Sequence, residues 1–319
     1  MTHANREHLL EPQIGEHTPG RRARRKPRNW RYVIFVVAAV SASLFFLAFR
    51  QSGPLATLLP GLASGHGFIS VPSGSAPGHA DQTVRQPAAK SDNASGSEAP
   101  PPGVEEADAP LGHPVAPRTA SNSYAFLAMN DDGTPVGYSP CRPLHYVVND
   151  KLAPAAADGL IEDAVAKISR ATGIHFVFDR VTDEEPREDR PAYQPGAYGQ
   201  RWAPLLVSWT TPDSAPALAG DVIGTGGSTM YSFRNGPKSY VTGNLELDTP
   251  QIRELLQESG GRAFVSAVIQ HELSHVMGLD HVDDPMQLMY PEIGAPDGLA
   301  DGDLNGLYKL SKASCRKDL

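Results

Sequence analysis

The sequence is poor in the residues that would organise its first third. Between residues 51 and 120 aromatics are few, and Pro, Gly, Ser, Ala and acidic residues dominate. Such a stretch cannot bury enough apolar area to offset chain entropy, which excludes a second globular domain there. Cysteine is scarce as well: the 319 residues hold two, Cys141 and Cys315. An excess of positive charge is also missing, since the chain carries a net charge of −8. The exception is R-R-A-R-R-K-P-R-N-W-R at 21–31. Because that basic block abuts an apolar run, it points to a membrane or an address signal and not to nucleic acid. Finally, Arg50–Pro54 offers no small-residue cleavage site directly after the apolar run.

The apolar run itself is Y-V-I-F-V-V-A-A-V-S-A-S-L-F-F-L-A-F, residues 32–49, which is 18 residues without a charge. As a helix it would reach about 27 Å, close to a hydrocarbon core of ~30 Å. Trp30 and Tyr32 are placed for the headgroup layer, and the arginine block is held in the cytoplasm by the positive-inside rule. The expected organisation is a cytoplasmic basic tail over 1–31, a transmembrane signal anchor over 32–49 and a disordered stalk over 50–120. A globular domain over 121–319 then lies outside the cell membrane. A signal peptide cut later, near Ala63, is the alternative for the anchor. A folded inhibitory propeptide is the alternative for the stalk. The Ala/Gly/Pro/Arg-rich composition is associated with a bacterial source.

Within 121–319 the patterning alternates between two periods. Tyr124–Met129 opens the domain. L-H-Y-V-V-N at 144–149, I-H-F-V-F-D at 174–179 and P-L-L-V-S-W at 204–209 read as strands. So do 221–233, interrupted by glycines, and Y-V-T-G-N-L-E-L-D at 240–248. Leu160, Ile161, Val165 and Ile168 recur at helical spacing over 154–172, and Gly173 supplies a C-terminal cap. Residues 181–203, rich in charge, Pro and Gly, are expected as a long surface loop. Thr249-Pro250 opens a helical region running to about Met277.

That last region carries the chemistry, in H-E-L-S-H-V-M-G-L-D-H at 271–281. His271 and His275 are four positions apart, so one face of a helix presents both imidazoles to a single Zn²⁺. Glu272 lies where it reaches a water on the metal without binding the metal. Gly278 can take φ > 0, end the helix and turn the chain, which returns His281 as a third ligand. Three protein ligands leave a fourth position for water, the mark of a catalytic zinc. A helix with surface histidines near a glycine cap is the plain structural alternative.

H-E-x-x-H-x-x-G-x-x-H resembles the zinc signature of the metzincin metallopeptidases. H-V-D-D-P-M-Q-L-M-Y-P at 281–291 and D-L-N-G-L-Y at 303–308 resemble the matrixin branch, although Val282 stands where a serine is common. The likeness is sharp over 264–310, looser back to about 141, and does not extend to 1–120. It implies an α+β, zincin/metzincin-like fold with a five-stranded twisted mixed sheet and three helices. The implied activity is that of a zinc metalloendopeptidase acting on protein or peptide substrates. A water activated by zinc at His271, His275 and His281 attacks the peptide bond, with Glu272 as general base. Met289 becomes an apolar floor under the histidines, Asp303 a buried support for the turn around Met289, and 222–231 a wall of the cleft. Matrixins often add calcium ions; Asp221, Asp283 and Asp284 offer oxygen donors without defining a site. His145 and His175, in predicted strands, are read as ordinary histidines. Cys141 and Cys315, at the two ends of the domain, suit a disulfide worth ~4–5 kcal/mol on the chain-entropy model. Free thiols, or Cys141 as an inhibitory zinc thiolate, are the alternatives. The expected working form is a monomer that does not bind nucleic acid. Two other readings share these residues: a non-catalytic, zinc-stabilised binding or adhesion domain, and a zinc amidase acting on cell-wall peptides.

Overall fold

The structure is a computed structural model that describes residues 84–85, 99–234, 236–292 and 297–319. The expected basic tail, the expected transmembrane segment at 32–49 and most of the expected stalk lie outside the described residues. Among the described residues no helix is long and apolar enough to cross a membrane.

Among the described residues eight strands occur in chain order: β1 Val84–Arg85, β2 Ala125–Phe126, β3 Leu144–Asn149, β4 Phe176–Val181, β5 Leu205–Thr210, β6 Gly224–Tyr231, β7 Ser239–Asp248 and β8 Leu279–Asp280. The four principal helices are α1 Leu160–Thr172, α2 Thr249–Leu255, α3 Gly261–Met277 and α4 Asp301–Leu310. The main sheet runs β1-β6-β7-β5-β3-β4. The β6–β7 pairing is antiparallel and the other pairings are parallel. The expected five-stranded mixed sheet is therefore present, with the two-residue β1 added against Ser228 and Thr229 of β6. β2 and β8 form a separate antiparallel pair.

Alternation along the strands sorts their side chains into two layers. Leu144, Tyr146 and Val148 of β3, Leu205, Val207 and Trp209 of β5, and Leu245 and Leu247 of β7 share one core with α1 and α3. On the opposite face Val147 and Leu206 pack with Tyr198 and Ala203. β5 is buried along its whole length, as a central parallel strand should be. Its apolar run L-L-V in the sequence reflects both layers at once.

Two expectations are corrected at glycines. The predicted helix over 154–172 is split: a 3₁₀ turn at Ala155–Ala157 ends before Gly159, which takes φ 76° and starts α1 at Leu160. The predicted helical region over 249–277 is likewise two helices. Asp248 caps α2 by accepting from the Gln251 backbone N–H at 3.2 Å, and Gly260 at φ 84° breaks the path before α3. Four principal helices replace the three expected. The predicted C-cap at Gly173 forms in the left-handed conformation, with its N–H donating to Ser169.

The loop over 181–203 is ordered around one carboxylate. Glu184 accepts from Arg190 Nε at 2.8 Å and from Gln194 at 3.1 Å, and it also receives the Tyr198 hydroxyl. This fixes a helical turn at Pro195–Tyr198 and delivers Tyr198 to the second layer.

The end of the expected stalk also differs from a disordered segment. Residues 99–120 lie along the domain: Gly103 N–H donates to Leu319 O, Ala107 N–H to Cys141 O, Leu111 N–H to Pro140 O and Val115 N–H to Arg170 O, at 2.8–2.9 Å. Glu106 is buried among Ser139, Arg142 and the Arg316 backbone N–H. The sequence signal missed here is a short acidic run, Glu105, Glu106 and Asp108, between prolines, which has no periodicity. Beside it, Cys141 and Cys315 form the disulfide, closing a separation of 174 residues.

Glu105, next in the strap, faces His145 Nε2 at 3.3 Å, while His145 Nδ1 meets Asp179 at 2.7 Å. Arg201 reaches Asp179 at 2.5 Å and Glu105 at 3.8 Å. Burial alone would lower the His145 pKa, but its hydrogen bonds to Glu105 and Asp179 outweigh burial and raise it above the usual histidine value. Both ring nitrogens donate only in the protonated form. A folded pKa above the unfolded one means this contribution is complete below about pH 6.5 and is lost as pH rises through the folded value. The stability gap between wild type and His145→Gln, measured by urea denaturation, is therefore expected to be widest below about pH 6.5 and to shrink as pH rises above it. A gap independent of pH would contradict a charged clasp.

Candidate metal centre

Helix α3 is buried almost all round, at Val265 and from Ala267 through Met277. A helix apolar on every side belongs inside a fold, so polar groups placed on it must be partnered there. It carries His271 at 0% exposure, Glu272 at 1% and His275 at 3%.

The imidazoles are oriented by backbone carbonyls. His271 Nδ1 donates to Leu288 O at 2.7 Å, and His275 Nδ1 donates to Leu279 O at 2.8 Å. A carbonyl only accepts, so these contacts put the proton on Nδ1 and leave Nε2 of both rings as a lone pair. Gly278 then turns the chain at φ 116°, with its N–H donating to Ser274 and His275. A Cβ there would lie 2.9 Å from Tyr240 and 3.1 Å from the Val136 carbonyl oxygen, so glycine is required both for conformation and for space. The chain returns through β8, and His281 presents its Nε2 at 3.2 Å from that of His271 and 3.1 Å from that of His275.

Three nitrogens so placed fit a zinc ion. Ligand nitrogens at ~2.0–2.1 Å in a tetrahedral shell lie about 3.3 Å from one another. Lone pairs facing each other at this distance gain nothing until a cation stands between them. Burial, reinforced by the neighbouring imidazoles, lowers the His271 pKa to about 3 and holds His275 well below the usual value. Burial also lowers His281, against the opposing pull of Asp280. All three therefore stay neutral, as metal ligands must be. Glu272 Oε1 is buried without a hydrogen-bond partner among the described residues, and burial pushes this carboxyl up to about 8. The sequence-predicted residues His271, His275 and His281 are thus brought together, with Glu272 adjacent on α3.

The chain after His281 folds back on itself and brings Leu288 to His271. Val282 N–H donates to Met289 O at 3.0 Å and closes the loop. Met289 is buried and belongs to the main core. Asp303 on α4, fully buried, accepts from the backbone N–H groups of Leu288 at 2.8 Å, Met289 at 3.2 Å and Ala300 at 2.8 Å. It therefore fixes the residue whose carbonyl orients His271. Gln287 adds a second link, accepting from Gly302 N–H at 2.7 Å.

Other predicted donors fall elsewhere. His145 belongs to the strap clasp, and His175 is exposed. Asp284 is engaged with Gln287 and the Met286 N–H. Asp221, Asp283 and Asp284 do not gather into one site among the described residues. Cys141 is in the disulfide, so it is not a free thiolate.

In this mixed α/β domain the central helix and the turn after it assemble three histidines beside a buried glutamate. Residues 221–311 match the family model of the matrixins, peptidase family M10. The chain is also similar to a macrophage metalloelastase from Oryctolagus cuniculus, 34% identical over 91 residues. That alignment covers 27% of this chain and 18% of the relative. Residues 221–311 are thus similar to the matrixins, and the three-histidine group within them fits a zinc site.

Removing Asp303 would leave three backbone N–H groups buried without an acceptor. Asp303→Ala is expected to cost about 3–4 kcal/mol of stability. It should also weaken zinc retention by releasing the Leu288 carbonyl from His271. Chemical denaturation together with metal analysis after dialysis checks both, and unchanged zinc affinity would separate Asp303 from the metal centre.

Proposed function

We propose that this protein is a membrane-anchored, extracytoplasmic zinc endopeptidase. The observation that carries the reading is the convergence of three Nε2 lone pairs, with His281 at 3.1–3.2 Å from the other two, next to a buried carboxylate with a free oxygen. A zinc ion bound there supplies Lewis acidity to a peptide carbonyl and lowers the pKa of a water. His271, His275 and His281 hold the ion, and the Leu288 and Leu279 carbonyls keep two of the rings in the binding tautomer.

Glu272 does the proton work. Its carboxylate accepts the proton of the attacking water and then delivers it to the leaving amine, so the peptide C–N bond breaks without a covalent enzyme intermediate. Met289 closes the site from below with apolar surface. The substrate is read as an extended peptide that adds a strand along β6, with backbone hydrogen bonds supplying register. A peptide pairing along the whole of β6 displaces Val84–Arg85 from Ser228 and Thr229. Residues 32–49 serve as the anchor, which puts the substrates outside the membrane.

The test is cleavage of a panel of protein, peptide and cell-wall peptide substrates by the purified protein and by Glu272→Ala, with zinc content measured in both. The expected result is peptide-bond cleavage by the first and a loss of about 10²–10⁴-fold in the second, with zinc retained. Turnover of wall peptides alone would replace the endopeptidase reading with an amidase. Bound zinc with no turnover of any substrate would leave a binding domain.

A further inference from the structure

Strand β6 reads G-T-G-G-S-T-M-Y, and its buried positions alternate as Gly224, Gly226, Ser228 and Met230. Three of those four inward positions are minimal in size, although Leu247 and Leu245 of β7 stand opposite the two glycines. The backbone does not require it: neither Gly224 nor Gly226 has positive φ. What requires it is α3. A Cβ on Gly226 would lie 2.1 Å from the Glu272 carbonyl oxygen and 3.0 Å from its Cα. A Cβ on Gly224 would instead meet the Glu272 side chain, at 2.9 Å from Cγ and 3.4 Å from Cδ. Ser228, next in line, donates to the Val276 carbonyl at 2.8 Å and so ties the strand to the following turn of the helix.

We infer that Gly224 is a positioning residue for Glu272: its missing side chain is the space in which the Glu272 carboxylate arm lies, and it sets where that carboxylate points. Gly226 has a different task, the spacing between strand and helix. The two glycines meet the same residue at different atoms. A methyl at 224 pushes on a side chain that can rotate away, whereas a methyl at 226 pushes on helix backbone that cannot. The histidines project from other positions of α3 and from beyond Gly278, and the atoms nearest a Cβ at 224 belong to Glu272 and Glu246. A change at 224 therefore moves the proton-transfer group and spares the metal ligands.

This inference rests on reading Glu272 as the general base, and the experiment separates the two. Gly224→Ala is expected to keep its zinc and to change KM by less than about twofold. Its kcat should fall by about 10–100-fold, the scale of misplacing a catalytic group by about an ångström or less. Thermal stability supplies a readout without turnover: Gly224→Ala should lower Tm in wild type and leave it nearly unchanged in Glu272→Ala, where the space is vacant. That comparison remains decisive if Gly224→Ala folds poorly. Gly226→Ala should lower Tm in both backgrounds. An unchanged kcat, strictly additive losses in Tm, or loss of zinc from Gly224→Ala would overturn the positioning role. No turnover by wild type, with Tm values still coupled between 224 and 272, would remove the peptidase reading and leave the contact standing.

Discussion

The structure depends on one constraint: three imidazole lone pairs must meet at a point inside the protein. Left alone, such an arrangement is unfavourable, because acceptors face acceptors in a place without water. The surrounding chain supplies the conditions under which it holds. Leu288 and Leu279 carbonyls take the Nδ1 protons of His271 and His275. Gly278 bends the backbone where no side chain would fit. Asp303 gathers three N–H groups so that Leu288 stays in place.

The same constraint explains why the sheet is asymmetric. On one side of β7 lies β5, buried on both faces and packed with large apolar side chains. On the other lies β6, whose inward positions are stripped to Gly, Gly and Ser opposite α3. Reducing the side chains brings the strand and the helix close, which keeps Glu272 against β6. A peptide pairing with β6 would then lie beside the carboxylate. The cost is glycine entropy in a strand, about 0.5–1 kcal/mol per residue.

The strap over 99–120 and the disulfide secure another part of the domain. Cys141 and Cys315 join the approach to β3 to the end of the chain, and the backbone of 103–115 bonds to both regions. Glu106 is buried against Arg142 while Glu105 faces His145, so two adjacent acids hold the strap in different ways. One meets a guanidinium, which keeps its charge at any ordinary pH. The other meets a histidine, whose grip depends on protonation.

The grouping of the three histidines, the glutamate beside them and the turn after them were legible in the sequence because they are local. A helix repeats every 3.6 residues, a glycine permits one reversal, and the stretch 271–281 contains the whole set. The five long strands were legible from alternation, with ends displaced by a few residues. Other features had no local signature. The breaks at Gly159 and Gly260 required knowing that those glycines would adopt positive φ, when a helix interior merely tolerates a glycine. The order along 99–120 comes from partners at 139–142, 170 and 316–319, contacts that no window of sequence contains. The glycines of β6 were visible as letters, yet their reason is a helix far along the chain. Sequence alone determined which atoms could bind and what spacing they needed; the tertiary structure decided which carbonyls orient them and which missing side chains make room. Those last choices are set by contacts between distant segments, and only packing brings such segments together.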